Sequence, residues 1–135
     1  MSKRYLFFPL LFMLISLKLF AAPQLSVSNE TINFETIRFG EVRTMSIFIQ
    51  NTGDQPLELK AIRTSCICLS AKTDTRSIPA GETHTLTVTF NAALKEPGLH
   101  TLRIFIRTNQ PEPELTVISA IAFVTPPENA VATPE

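Results

Sequence analysis

The chain of 135 residues is poor in the residue types that carry most enzyme chemistry. It has two cysteines, two histidines, one tyrosine, no tryptophan and four glycines. No stretch resembles a phosphate-cradling glycine-rich loop, a dinucleotide-binding turn, a nucleophile elbow or a helix with paired zinc-binding histidines. Candidate acids, bases and nucleophiles do not converge, which speaks against an enzyme. Ten prolines against four glycines point away from flexible linkers. The formal net charge is zero. The length allows one domain, and the 44 % hydrophobic content suffices for one packed core.

The N-terminus reads as a signal peptide, residues 1–21. Lys3 and Arg4 form a positive n-region, Tyr5 to Leu17 is an uncharged apolar run, and Lys18 interrupts it. A bilayer span needs about 20 apolar residues, so this run is short for an anchor. Leu19-Phe20-Ala21-Ala22 offers small residues for cleavage, and Pro23 disfavours a cut after Ala22. Cleavage after Ala21 is therefore expected, with an uncleaved anchor as the alternative. No cysteine lies nearby to carry a lipid. Loss of Lys3, Arg4 and Lys18 lowers the basic residues from 12 to 9 against 12 acids. The exported domain is then weakly acidic and has no electrostatic footprint for nucleic acid or anionic lipid.

From residue 22 to 124 alternation dominates and helical periodicity is absent. Leu25 and Val27 begin a first strand, and Ile32 and Phe34 continue it or form a short second piece. Met45, Ile47 and Ile49 mark the next, and Asn51 to Pro56 is a turn where Gly53 is expected to take positive φ. Leu57, Leu59 and Ile62 change parity, predicting a bulge near Ala61. Ile78-Pro79-Ala80-Gly81 is a turn. Leu86, Val88 and Phe90 alternate with Thr85, Thr87 and Thr89. Leu102, Ile104 and Ile106 alternate with Thr101, Arg103 and Arg107. Leu115 to Val124 is apolar on both faces over Val117-Ile118, as in a strand buried twice or covered by a partner. About seven short strands at regular spacing predict an all-β fold, a single Ig-like β-sandwich. Residues 125–135, with three prolines, read as a disordered tail.

Several segments carry a resemblance. They are Phe39-Gly40-Glu41, Asn51-Thr52-Gly53-Asp54 with Pro56-Leu57, Arg63-Thr64-Ser65-Cys66 with Cys68, Ile78-Pro79-Ala80-Gly81-Glu82 leading to Val88-Thr89-Phe90, and Thr108-Asn109. In this order, over residues 34–124, the chain resembles a bacterial family of secreted Ig-like domains, domain of unknown function 1573. That family is similar to Hydin-type and major-sperm-protein-type Ig-like modules. The resemblance implies a seven-stranded sandwich and an envelope or secreted location, and no activity. The family's glycine between the two cysteines is Ile67 here.

Cys66-Ile67-Cys68 is the one chemically suggestive motif. An oxidising compartment favours a disulfide. In an extended strand, however, residues two apart lie about 6.6 Å apart with parallel Cβ directions, while a disulfide needs Cβ atoms about 3.5–4.5 Å apart. Closing the ring requires a tight turn at Ile67, which a β-branched residue disfavours. As free thiols the two would be small core hydrophobes sharing the parity of Ile62. As a disulfide they would be strained and redox-active; as thiolates they would bind a soft metal; a bond to another chain is a fourth outcome. Up-and-down strand order would gather Cys66, Cys68 and His100 at one pole with Met45, a set suited to copper or zinc. The plain reading of His84 and His100 is a rim histidine with a satisfied ring. Glu112 and Glu114 read as a solvated loop.

The sequence thus predicts a periplasmic or secreted, non-catalytic binding or scaffolding module. Its expected partner is another envelope or secreted protein, with no nucleic acid and no stable membrane span. No cofactor is expected. The alternative is a soft-metal (copper-type) or thiol-redox protein using Cys66 and Cys68.

Overall fold

The computed structural model describes residues 21–130. The expected leader, apart from Ala21, lies outside the described residues. The described residues form nine strands: β1 (Leu25–Val27), β2 (Thr31–Arg38), β3 (Val42–Asn51), β4 (Leu57–Thr64), β5 (Leu69–Lys72), β6 (Ser77–Ile78), β7 (Thr83–Asn91), β8 (Gly98–Thr108) and β9 (Leu115–Thr125). They make two sheets, β1-β3-β7-β5 and β2-β9-β8-β4-β6. The architecture is an Ig-like β-sandwich.

Alternation decides what each strand buries. Leu86, Val88 and Phe90 of β7 are buried, and Thr85 and Thr87 face solvent. Leu102, Ile104 and Ile106 of β8 and Ile47 and Ile49 of β3 meet them from their own inner faces. Phe34 and Phe90 pack with ring centroids 5.6 Å apart, joining the two sheets. Ordinary apolar burial, about 25 cal/mol per Å² removed from water, supplies the driving force.

Three features are decided by the structure or differ from the sequence expectation. The segment of Ile32 and Phe34 is a second strand: β1 pairs antiparallel with β3, then the chain crosses and β2 pairs parallel with β9. A short β5 follows the cysteine turn. Third, β9 runs through Thr125, which pairs with Arg38, and Glu128–Ala130 forms a single 3-10 turn. Residues 131–135 of the expected disordered tail lie outside the described residues. The bulge in β4 falls where the parity changes, between Leu59 and Ala61.

Two buried amides tie the turns at one pole to the core. Asn51 Nδ2 donates to the carbonyls of Gln55 and Ile78 at 2.7 and 2.9 Å. Gln110 accepts from the Leu25 amide at 2.7 Å and donates to the Pro113 carbonyl. Both side chains are thereby satisfied, as buried polar groups must be.

Candidate functional site

Cys66 and Cys68 form a disulfide, and the extended geometry expected for them does not hold. Strand β4 ends at Thr64, whose hydroxyl lies 3.0 Å from the Cys66 carbonyl oxygen and 2.8 Å from that of Leu69. The Leu69 amide donates to the Cys66 carbonyl at 3.2 Å. This turn brings the two Cα atoms to 5.1 Å and sends Ile67 outward, 90 % exposed. The β-branch at Ile67 costs little because its side chain has open space. Cys68 is buried, and Cys66 packs half-buried against the core.

The strand order does place the end of β4 and the starts of β3 and β8 at one pole. Yet Met45 is the fourth residue of β3, opposite Val88 and packed on the core. His100 Nε2 lies 2.7 Å from the Glu96 carbonyl oxygen. With both sulfurs bonded to each other, Cys66, Cys68, His100 and Met45 present no thiolate pair, and the soft-metal alternative gains no support. Among the described residues no group of three His, Cys, Asp or Glu is placed to hold a metal. His84 lies 3.5 Å from Asp74 and 3.4 Å from Glu82, a rim histidine between two exposed carboxylates.

The two outer faces of the sandwich differ in charge and in how their apolar residues are spread: on the β1-β3-β7-β5 sheet Val42 and Phe48, 56 and 58 % exposed, lie six residues apart on β3 among hydroxyl side chains. On the β1-β3-β7-β5 sheet, Thr44, Ser46, Thr85, Thr87, Thr89 and Ser70 make a hydroxyl surface, and the Thr44 and Thr89 hydroxyls lie 3.0 Å apart. On the other sheet the outer face is apolar and basic. Leu99, Leu115, Val117 and Phe123 are 68, 42, 44 and 46 % exposed. Phe105 stands half-buried between Val117 on β9 and Arg63 on β4. Arg103 and Arg107, also outward, flank it along β8. Arg107 and Lys60 share Glu114 at 4.0 and 3.6 Å. Among the described residues Arg63 and Arg103 have no carboxylate partner. The doubly apolar look of Val117-Ile118 resolves into a buried Ile118 and an open Val117.

One edge of the five-stranded sheet is guarded. On β2 a bulge puts Glu35 at φ 59°. Arg43 reaches across from β3 and donates to the carbonyls of Phe34 and Thr36 at 2.7 and 3.1 Å. Glu41 holds the same guanidinium at 2.8 Å. That hydrogen bond, helped by one from the Arg38 amide, lowers the Glu41 pKa. The β2 edge is thus bent and capped, a usual guard against strand addition.

The sequence signal for the apolar and basic face is the parity of Arg103 and Arg107, opposite to the core. The same parity places Phe105 outward between them; what parity could not supply is the lateral placement of Arg63 and Val117 beside it.

A family model described as "Protein of unknown function (DUF1573)" matches residues 25–122. No curated protein matches the chain in sequence. Among solved structures, a protein of unknown function from Porphyromonas gingivalis W83 is similar with a TM-score of 0.71 and 23 % identity, over 78 % of this chain and 50 % of that one. The chain therefore spans half the length of that relative. The PapD-like domain 7 of human CEP192 superposes with a TM-score of 0.59 and 13 % identity, over 95 % of this chain and 99 % of that one. A chain of the CsuC-CsuE chaperone-tip adhesion subunit pre-assembly complex from Acinetobacter baumannii gives 0.57 and 17 %, over 76 % and 52 %. At these identities the likeness is one of fold.

Proposed function

The chain belongs to the family of proteins of unknown function whose model it matches, and we propose that it is a non-catalytic binding module of the cell envelope or its exterior. The reading rests on the apolar and basic outer face around Phe105. The core of the sandwich is complete without that face, so its exposed Leu115, Val117 and Phe123 are not spare core residues. Exposed apolar clusters rimmed by polar residues mark interaction sites. Arginine and aromatic side chains dominate the energetic centres of interfaces. Arg63 and Arg103, lacking carboxylates of their own, favour a partner surface that carries acidic groups. The likeness to PapD-like domains and to a chaperone–adhesion subunit complex supports protein binding, as fold analogy only.

Export is supported by the positive n-region and apolar run at the N-terminus. The Cys66–Cys68 disulfide fits an oxidising compartment. Among the described residues no helix is long and apolar enough to cross a membrane.

Site-specific photo-crosslinking in cells tests the docking face. A benzophenone amino acid at Phe105 should give a discrete adduct with an envelope or secreted protein. The same group at Thr87, on the hydroxyl face, should give none. Arg63→Glu with Arg103→Glu should abolish the adduct at unchanged Tm. Equal labelling from both faces, or none from either, would refute the reading.

A further inference from the structure

The first residues after the expected cleavage point are held by a built receptor. The Ala22 nitrogen lies 2.8 Å from Asp54 Oδ1, and the Asp54 amide returns a bond to the Ala22 carbonyl at 3.2 Å. The Thr52 amide donates to the Gln24 carbonyl at 2.9 Å. The Gln24 amide donates to Oδ1 of the buried Asn51 at 3.2 Å. Gly53 fits for a reason the sequence did not disclose: its φ is not positive, but a methyl group there would stand 2.1 Å from the Ala22 carbonyl oxygen. Among the described residues the contacts begin at Ala22. Ala21 is exposed and makes no hydrogen bond among the described residues.

Two independent observations therefore meet at one bond. The leader pattern and Pro23 point to hydrolysis between Ala21 and Ala22, and among the described residues the docked segment starts at Ala22. We infer that the turn Asn51–Asp54 is a receptor for the chain's own processed N-terminus, completed when cleavage creates an α-ammonium at Ala22 opposite the Asp54 carboxylate. In that step an export peptidase adds one water across the Ala21–Ala22 amide. The carboxylate stays on the departing leader, and the Ala22 nitrogen becomes a primary amine that takes up a proton. Before cleavage this nitrogen offers Asp54 one neutral N–H; afterwards it offers a full positive charge, and charge-assisted hydrogen bonds are about twice as strong.

The electrostatics of the hollow suit a cation. Asp54 from the turn and Glu112 from the β8–β9 connection line it, and among the described residues no Lys, Arg or His does. The side chains of Ala22, Pro23, Gln24 and Pro111 bring no charge of their own. An α-amine ordinarily titrates near 7.7–8.0, and an ammonium facing carboxylates should titrate above that. A raised folded-state pKa means the added stability is fully present below about pH 7.7. It is lost as pH rises through the folded value. Partner binding plays no part in this step.

Wild-type protein exported with its own leader should show Ala22 as its first residue by sequencing and intact mass. Its Tm should be compared from pH 6 to pH 10 with a form carrying Gly-Ser inserted before Ala22, which keeps an N–H there and removes the charge. At pH 6.5 the wild type should melt about 1–5 °C higher, a partly exposed ion pair in a domain of this size. The gap should close towards pH 10 and be absent in the Asp54→Asn, Glu112→Gln background. NMR titration of the Ala22 amine in the wild type, which needs no variant to fold, should place its pKa above the ordinary value. A mature terminus elsewhere, a gap that ignores pH or survives loss of both carboxylates, or an ordinary amine pKa would each overturn the inference.

Discussion

Replacing Phe90 by alanine should be among the most damaging single changes in the domain. Phe90 is fully buried and lies at the centre of its sheet. Its strand neighbours are Arg43 on β3 and Leu69 on β5, and its ring packs on Phe34 from the opposite sheet. Truncation removes most of an aromatic side chain and leaves a cavity that the flanking strands, held by their ladders, cannot collapse to fill. Such changes cost about 3–5 kcal/mol. The lost aromatic pair, worth about 0.5–1.5 kcal/mol, falls within that range. A domain of this size has about 5–15 kcal/mol of total stability, so the variant should keep its fold with a Tm lower by more than about 10 °C. Equilibrium urea unfolding with the m-value compared between variants is the assay. Phe48→Ala is the control: Phe48 is 58 % exposed on the hydroxyl face and its loss should change stability by less than about 0.5 kcal/mol. A cost below about 1 kcal/mol for Phe90→Ala at unchanged m would refute the packing argument and mean that the core relaxes around the missing ring.

Two further outcomes follow from the guarded β2 edge. Arg43→Ala should leave the Phe34 and Thr36 carbonyls facing solvent on a bare edge; light scattering should show concentration-dependent association that the wild type lacks. Glu41 has a folded pKa below its ordinary value, chiefly through the Arg43 hydrogen bond and then the Arg38 amide. Its contribution is therefore present above the unfolded value of 4.5 and lost as pH falls through the folded one. Glu41→Gln should flatten the acid limb of a Tm-against-pH curve there, and Arg43→Ala should flatten it in part, because the bond from the Arg38 amide remains.

What could be read from the sequence was what period-two alternation carries. The core faces of β3, β7 and β8 and the bulge beside Ala61 all follow from which residues share parity. Parity failed at the cysteines because Cys66 and Cys68 continue the rhythm of Ile62 while the backbone does not. The turn is set by the Thr64 hydroxyl, a contact the apolar pattern ignores. The strand β5 escaped notice because four residues, Leu-Ser-Ala-Lys, give too little alternation and depend on β7 for their pairing. The apolar and basic face was half legible. Arg103 and Arg107 point outward by count, but Arg63 and Val117 join Phe105 only through the lateral register of β4, β8 and β9. The role of Gly53 was hidden for a similar reason, since its constraint comes from a segment about thirty residues earlier in the chain.

The crossing of the first strand between sheets has a mechanical consequence. The N-terminal segment leaves the sandwich at the pole of Asn51, and β9 ends at the opposite pole. Because β2 and β9 run parallel, a pull between the two ends of the domain slides these strands past each other. The six residue pairs from Thr31–Ser119 to Arg38–Thr125 then share the load at once, instead of opening one by one like a zip. Their hydrogen bonds lie across the line of force. A domain anchored at one end and tugged at the other would resist extension through this pair of strands, whatever it holds on its face.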